Sequence, residues 1–199
     1  YDARAQVTPL SGKEIIAYGL KLKLTKRVKH VLGDIIAIED DQAVLLTYFR
    51  NNILHAFVLP SLIAALVKHN GSIRRGDLIS VIRTLYPFLK AELFLKWQDD
   101  ELKDQICAYV DALINAKLIA ADAEDHLISP APNSEDHNQL VVLAAPVMQS
   151  LERYYMTMAL ISQRGSGNIS IRQVEELSYL VGQRLSVLYE FNSPEFFDK

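Results

Sequence analysis

The chain has almost no cysteine, little glycine and no large excess of either charge. Its single cysteine, Cys107, excludes an internal disulfide framework and fits a reducing compartment. Among Ile106, Tyr109 and Val110 in a helical pattern, it reads as a small buried hydrophobe rather than a reactive thiol. The eight glycines form no phosphate-cradling run, and neither His-Glu-x-x-His nor Gly-x-Ser-x-Gly occurs. P-loop enzymes, zinc hydrolases and serine hydrolases therefore have no support. Lys and Arg number 21 against 24 Asp and Glu, a net charge of -3, so attraction to nucleic acid or anionic lipid must be local. Internal repeats, heptads and low-complexity runs are lacking. No signal peptide is visible, and the ends, Tyr1 and an untapered Asn192 to Lys199, predict a piece of a longer polypeptide.

What is present is apolar periodicity. At 199 residues and 50% hydrophobic, the chain can bury a sizeable core. The predicted fold is mainly α: a multi-helix bundle with a small β-hairpin, one domain over 1–199 in which a basic lead-in, 1–40, packs on 41–199. The spine is Ala43 to Leu66, where Leu45, Tyr48, Phe49, Asn52, Ala56, Phe57 and Leu59 recur at steps of three and four on a helix beginning near Asp40 or Asp41. It holds two Asn, a His and Pro60, so a core helix suits it better than a bilayer span, which needs about 20 mainly apolar residues.

Around that spine, Ser11 and Glu14 have capping-box spacing for a helix reaching about Leu22, and Ile35 to Ile38 read as a short strand ending at Glu39, Asp40 and Asp41. Asn70-Gly71 stops the spine and Arg74 to Gly76 form a basic loop. Asp77 starts a helix with Leu78, Val81, Ile82, Leu85, Phe88 and Leu89 on its stripe, kinked or divided by Pro87. Trp97 closes that segment. Asp99 or Asp100 caps the next helix, striped by Leu102, Ile106, Tyr109, Val110, Leu113 and Ile114. Lys117 to Ser129 reads as a hairpin with its polar turn at Asp122 to His126, and helix, helix, hairpin resembles a winged helix. After the loop Pro130 to Asn138, a helix runs from Gln139 to about Ser162 with Pro146 near its first turn. Ser170 and Gln173 cap a last helix with Val174, Leu177, Val181, Leu185 and Leu188 inward.

Two clusters carry potential chemistry. Lys21, Lys23, Lys26, Arg27 and Lys29 fall within nine positions with no acid among them. They form either a solvated face or a docking patch for phosphate, lipid head groups or an acidic carrier protein. Arg50, Asn51, Asn52 and His55 make a polar island on the spine, either a buried network closed by a carboxylate such as Glu92 or Glu152, or a contact surface. His30 with Asp34 is a weak dyad interrupted by Gly33, and His55 reads first as a satisfied core histidine. The aromatics Tyr48, Phe49, Tyr86, Phe88, Phe94 and Trp97 read as core before they read as a ligand box. Nucleic-acid binding by the wing fails on the charge of Asp122, Glu124 and Asp125.

Several blocks resemble the C-terminal part of bacterial glycerol-3-phosphate 1-O-acyltransferases: LTKRVKHVLGD (24–34), AVLLTYFRNNILHAF (43–57), LYPFLKAELFL (85–95), LERYY (151–155) and GQRLSVLYEFNSPEFFDK (182–199). The similarity runs from about Val7 to the end. It implies part of an enzyme that moves an acyl group from acyl-CoA or acyl-carrier protein to the sn-1 hydroxyl of glycerol 3-phosphate, the first step of phospholipid synthesis. It further implies the cytoplasmic face of the inner membrane, no cofactor, and an N-terminal catalytic domain and a membrane surface as partners, with no nucleic acid. That family's His-x-x-x-x-Asp signature pairs a general base with an orienting carboxylate. Here the residues five after His30, His55, His69, His126 and His137 are Ile35, Pro60, Arg74, Ala131 and Val142. No catalytic residue carries over, and the chain is expected to be inactive alone: a support for the catalytic domain, with the basic run or the polar island at its contact surface. The other reading is a regulatory or protein-interaction module of a membrane-associated assembly, without substrate contact.

Overall fold

The structure is a computed structural model and describes residues 8–165 and 167–189. Among them are six helices and two small antiparallel sheets. The chain forms two compact units, 1–146 and 147–199, with the division falling inside one long helix.

In the first unit, α1 (Gly12–Lys21) opens on a complete capping box between Ser11 and Glu14. Strand β1 (Lys26–Val28) pairs with β2 (Ile35–Ala37) as a two-stranded ribbon. Helix α2 (Asp40–Asn70) ends at Gly71, whose φ of 70° suits glycine. Then come β3 (Ser72–Arg74), α3 (Arg75–Leu93), α4 (Asp99–Asn115), β4 (Ala120–Ala121) and β5 (His126–Ile128). In the second sheet β5 lies between β3 and β4. Helix, strand, helix, helix, strand, strand with that sheet order is a winged-helix arrangement, and it contains the hairpin expected over Lys117 to Ser129.

The core of this unit forms where α3, α4 and β3 pack on the C-terminal half of α2. Val58, Leu59, Leu62, Ile63, Ala64 and Val67 of α2 are buried with Leu78, Ile82 and Leu89 of α3 and Leu102, Ile106 and Val110 of α4. Leu140 and Ala144 are buried as well. Full burial contributes roughly 1.5–3 kcal/mol per large apolar side chain, so this cluster dominates the unit's stability. Tyr86 adds a buried hydroxyl that donates to the carbonyl of Trp97 at 3.0 Å. Asp41–Asn70 is long and apolar enough to cross a membrane, but half of its most apolar window is buried inside the fold.

The spine departs from expectation at its other end. Leu45, Tyr48, Phe49 and Asn52, placed on the core stripe by their spacing, are not buried, and burial along α2 begins at Leu54. No described side chain from Thr8 to Ile53 is buried. Of the six aromatics read as core, only Tyr86 and Trp97 are; Tyr48, Phe49, Phe88 and Phe94 face outward. Val81 is exposed too, and Cys107 is half-buried rather than core.

Smaller corrections have local causes. Pro87 does not divide α3: it is exposed, and the carbonyl it leaves without an N–H belongs to exposed Arg83, which water can reach. Arg74 and Arg75 are not loop, because pairing with β5 makes Ser72–Arg74 a strand and α3 starts at Arg75. Gln98, not Asp99 or Asp100, caps α4, reciprocally with Glu101.

Helix α5 (Glu135–Arg164) starts four residues earlier than the spacing predicts, because Ser134 caps it through the N–H of His137 at 3.1 Å. Pro146 therefore sits well inside it, above exposed Val142. In the second unit, Val147 and Ser150 are buried. After Gly165, Ser170 and Gln173 form the expected cap of α6 (Ile171–Tyr189). Val174, Leu177 and Val181 are half-buried, while the side chains of Leu185 and Leu188 lie outside the described residues.

Candidate functional site

The polar island sits where α2 passes from its exposed half to its buried half. Asn51 and His55 are one turn apart, as are Asn52 and His55, so all three lie on neighbouring parts of one helix face. Helix α3 ends opposite them. Together Asn51, Asn52 and His55 of α2 and Glu92, Leu93 and Phe94 at the end of α3 line an open depression of about 430 Å³. Arg50 lies beside it, its Nε and Nη2 donating to Asn51 Oδ1 at 3.3 and 3.1 Å. Of the two carboxylates foreseen as closing a buried network, Glu92 lines this depression and Glu152 belongs to the second unit. The island is a surface feature, not a sealed one.

Phe94, read as core, turns out to be part of this site. It ends α3 in the left-handed region at φ 53°, ψ 45°, a conformation usually left to Gly or Asn, and its ring is 91% exposed. Left-handed backbone costs a side-chain-bearing residue roughly 1–2 kcal/mol, and no burial of the ring offsets it here. An apolar ring held beside a polar, hydrogen-bonding floor is chemistry for recognition. Tyr48 and Phe49, one turn before the island, extend the apolar surface, with ring centroids 5.9 Å apart.

The five cations of the basic run are spread over the end of α1, the turn after it and the ribbon. Lys21 ends α1, Lys23 holds a left-handed turn at φ 58°, Lys26 and Arg27 lie on β1, and Lys29 follows it. Lys26 Nζ is 2.6 Å from Glu39 Oε1, and Arg27 Nη1 is 3.3 Å from Asp34 Oδ2. Lys21, Lys23 and Lys29 have no carboxylate partner among the described residues. Asp34 is thus engaged by Arg27, while His30 Nδ1 accepts from the N–H of Leu32 at 3.2 Å, so the two do not form a dyad.

The wing is held by a cation instead. Arg75 donates through Nη1 to Asp111 Oδ1 at 3.0 Å and through Nε to Asp125 Oδ1 at 2.9 Å. Burial works against its charge, yet the two carboxylates outweigh it and hold its pKa above the usual value. Asp122 accepts from the N–H of His126 at 2.8 Å and that of Glu124 at 2.9 Å, and these bonds lower its pKa. Asp122 and Asp125, two of the three carboxylates expected to repel nucleic acid, therefore hold the turn.

The model of the glycerol-3-phosphate acyltransferase C-terminal region matches residues 1–199. The chain belongs to that family. It is 40% identical over 199 residues to the glycerol-3-phosphate acyltransferases of Pseudomonas aeruginosa and Pseudomonas paraeruginosa. To that of Xylella fastidiosa it is 37% identical over 202 residues. The whole chain is covered in each case, but only 24%, 24% and 23% of the relatives, so it spans about a quarter of their length. No solved structure matches it.

Proposed function

We propose that the chain is the docking and positioning region of an enzyme that transfers an acyl group from acyl-CoA or acyl-carrier protein to the sn-1 hydroxyl of glycerol 3-phosphate. Family membership supports the reaction, and the lack of any His-x-x-x-x-Asp in the sequence supports an acid–base pair outside this chain. One observation carries the role: α1, the β1–β2 ribbon and the first half of α2 expose apolar residues and bury none up to Ile53. Unburied apolar residues in such number are what an interaction surface presents. The rest of the acyltransferase covers the part of it on α1 and the first half of α2, and the depression of Asn51, Asn52, His55 and Phe94 completes one wall of the substrate site.

In the complete acyltransferase, His55→Ala and Arg50→Ala lower kcat/KM for acyl transfer about tenfold or more, a loss of at least about 1.4 kcal/mol of transition-state binding. Melting temperature changes little. A fall in melting temperature at unchanged kcat/KM would instead identify an assembly module that touches no substrate. Acyl transfer by the 199-residue chain alone would refute the division of labour.

A further inference from the structure

The tip of the β1–β2 ribbon goes beyond this reading. His30-Val31-Leu32-Gly33 is a tight turn closed by the N–H of Gly33 donating to the carbonyl of His30 at 3.0 Å, with Gly33 at φ 121°. Its two central residues, where turns carry Gly, Pro, Asn, Asp or Ser, are Val31 and Leu32, 97% and 93% exposed. Behind them, Val28, Ile35 and Ile36 are exposed as well. The N–H of Leu32 is satisfied by His30 Nδ1 and that of Gly33 by the His30 carbonyl. These backbone donors can leave water without losing a partner, the chief cost of placing irregular backbone in hydrocarbon.

Charge selects the occupant. Residues 21–39 hold five cations and two carboxylates, net 5 − 2 = +3, in a chain whose total is -3, so the remainder is -3 − 3 = -6. Lys29 stands two positions from Val31. The pairs of Arg27 with Asp34 and Lys26 with Glu39 are exposed, so an anionic head group can compete for them cheaply. We infer that the ribbon tip is a membrane probe: Val31 and Leu32 enter the acyl-chain boundary of an anionic bilayer while Lys29, Arg27 and Lys26 meet its phosphates. A protein partner would bury the ribbon's faces too, but would not require anionic lipid.

The test is flotation of the 199-residue chain with vesicles of phosphatidylcholine alone and with a third of phosphatidylglycerol. The chain floats with the anionic vesicles and not with the neutral ones. The double variant Val31→Ser/Leu32→Ser weakens partitioning about a hundredfold, and Lys29→Glu about fivefold or more. Both variants melt like the parent, because the replaced side chains contact little. In a Leu32→Trp variant, the emission of the added indole shifts to the blue on anionic vesicles and is quenched by brominated lipid. Failure of the parent to float, equal flotation of the double variant, or an emission from the Leu32→Trp variant that does not shift would overturn the assignment. None of these results bears on the acyl-transfer assay.

Discussion

Glu152 shows how a single carboxylate reports its surroundings. Burial raises its pKa above the ordinary glutamate value of 4.5. The folded state therefore holds the proton more tightly than the unfolded chain, and ionised Glu152 destabilises the fold above its folded pKa. That penalty fades as pH falls and is gone below about 4.5, the unfolded value. Glu152→Gln should raise the melting temperature at pH 7 and leave it unchanged near pH 4, as thermal unfolding at the two values would show. An equal shift at both would mean that burial of the charge is not the cause. Arg75 shows what spacing cannot reveal: its partners Asp111 and Asp125 lie 36 and 50 positions away, so it reads as part of a basic loop until the wing folds back over it. Phe94 is a similar case, since its left-handed backbone has no sequence signal apart from the end of the α3 stripe.

At the scale of elements, legibility follows the range of the interactions. Capping boxes at Ser11 with Glu14 and Ser170 with Gln173 are closed within three residues, and both are readable. Strands β1 and β3, three residues each, exist because of pairing with β2 and β5, and neither is readable. Periodicity marks α2 correctly but says only that a stripe is apolar, not what covers it. The two halves of α2 should differ accordingly. Leu62→Ala, in the fully buried half, should cost the chain about 2–5 kcal/mol in urea unfolding. Tyr48→Ala, 62% exposed, should cost under about 0.5 kcal/mol. Comparable losses at both positions would place the core along the whole helix.

For the molecule as a whole, the two ends of α2 differ in what covers them. Its C-terminal half anchors a winged-helix core in which its apolar side chains are buried against α3 and α4. Its N-terminal half, with α1 and the ribbon, presents apolar surface that the described residues leave uncovered. Asp122 and Asp125 of the wing hold its turn and Arg75, and the polar island opens at the border between the buried core and the exposed apolar surface. The most direct test is hydroxyl-radical footprinting of the 199-residue chain against the complete acyltransferase. Tyr48 and Phe49 should be labelled readily in the chain and strongly protected in the complete polypeptide, with buried Tyr86 slow in both. Equal labelling of Tyr48 and Phe49 in the two would contradict the claim that this surface is where the rest of the acyltransferase docks.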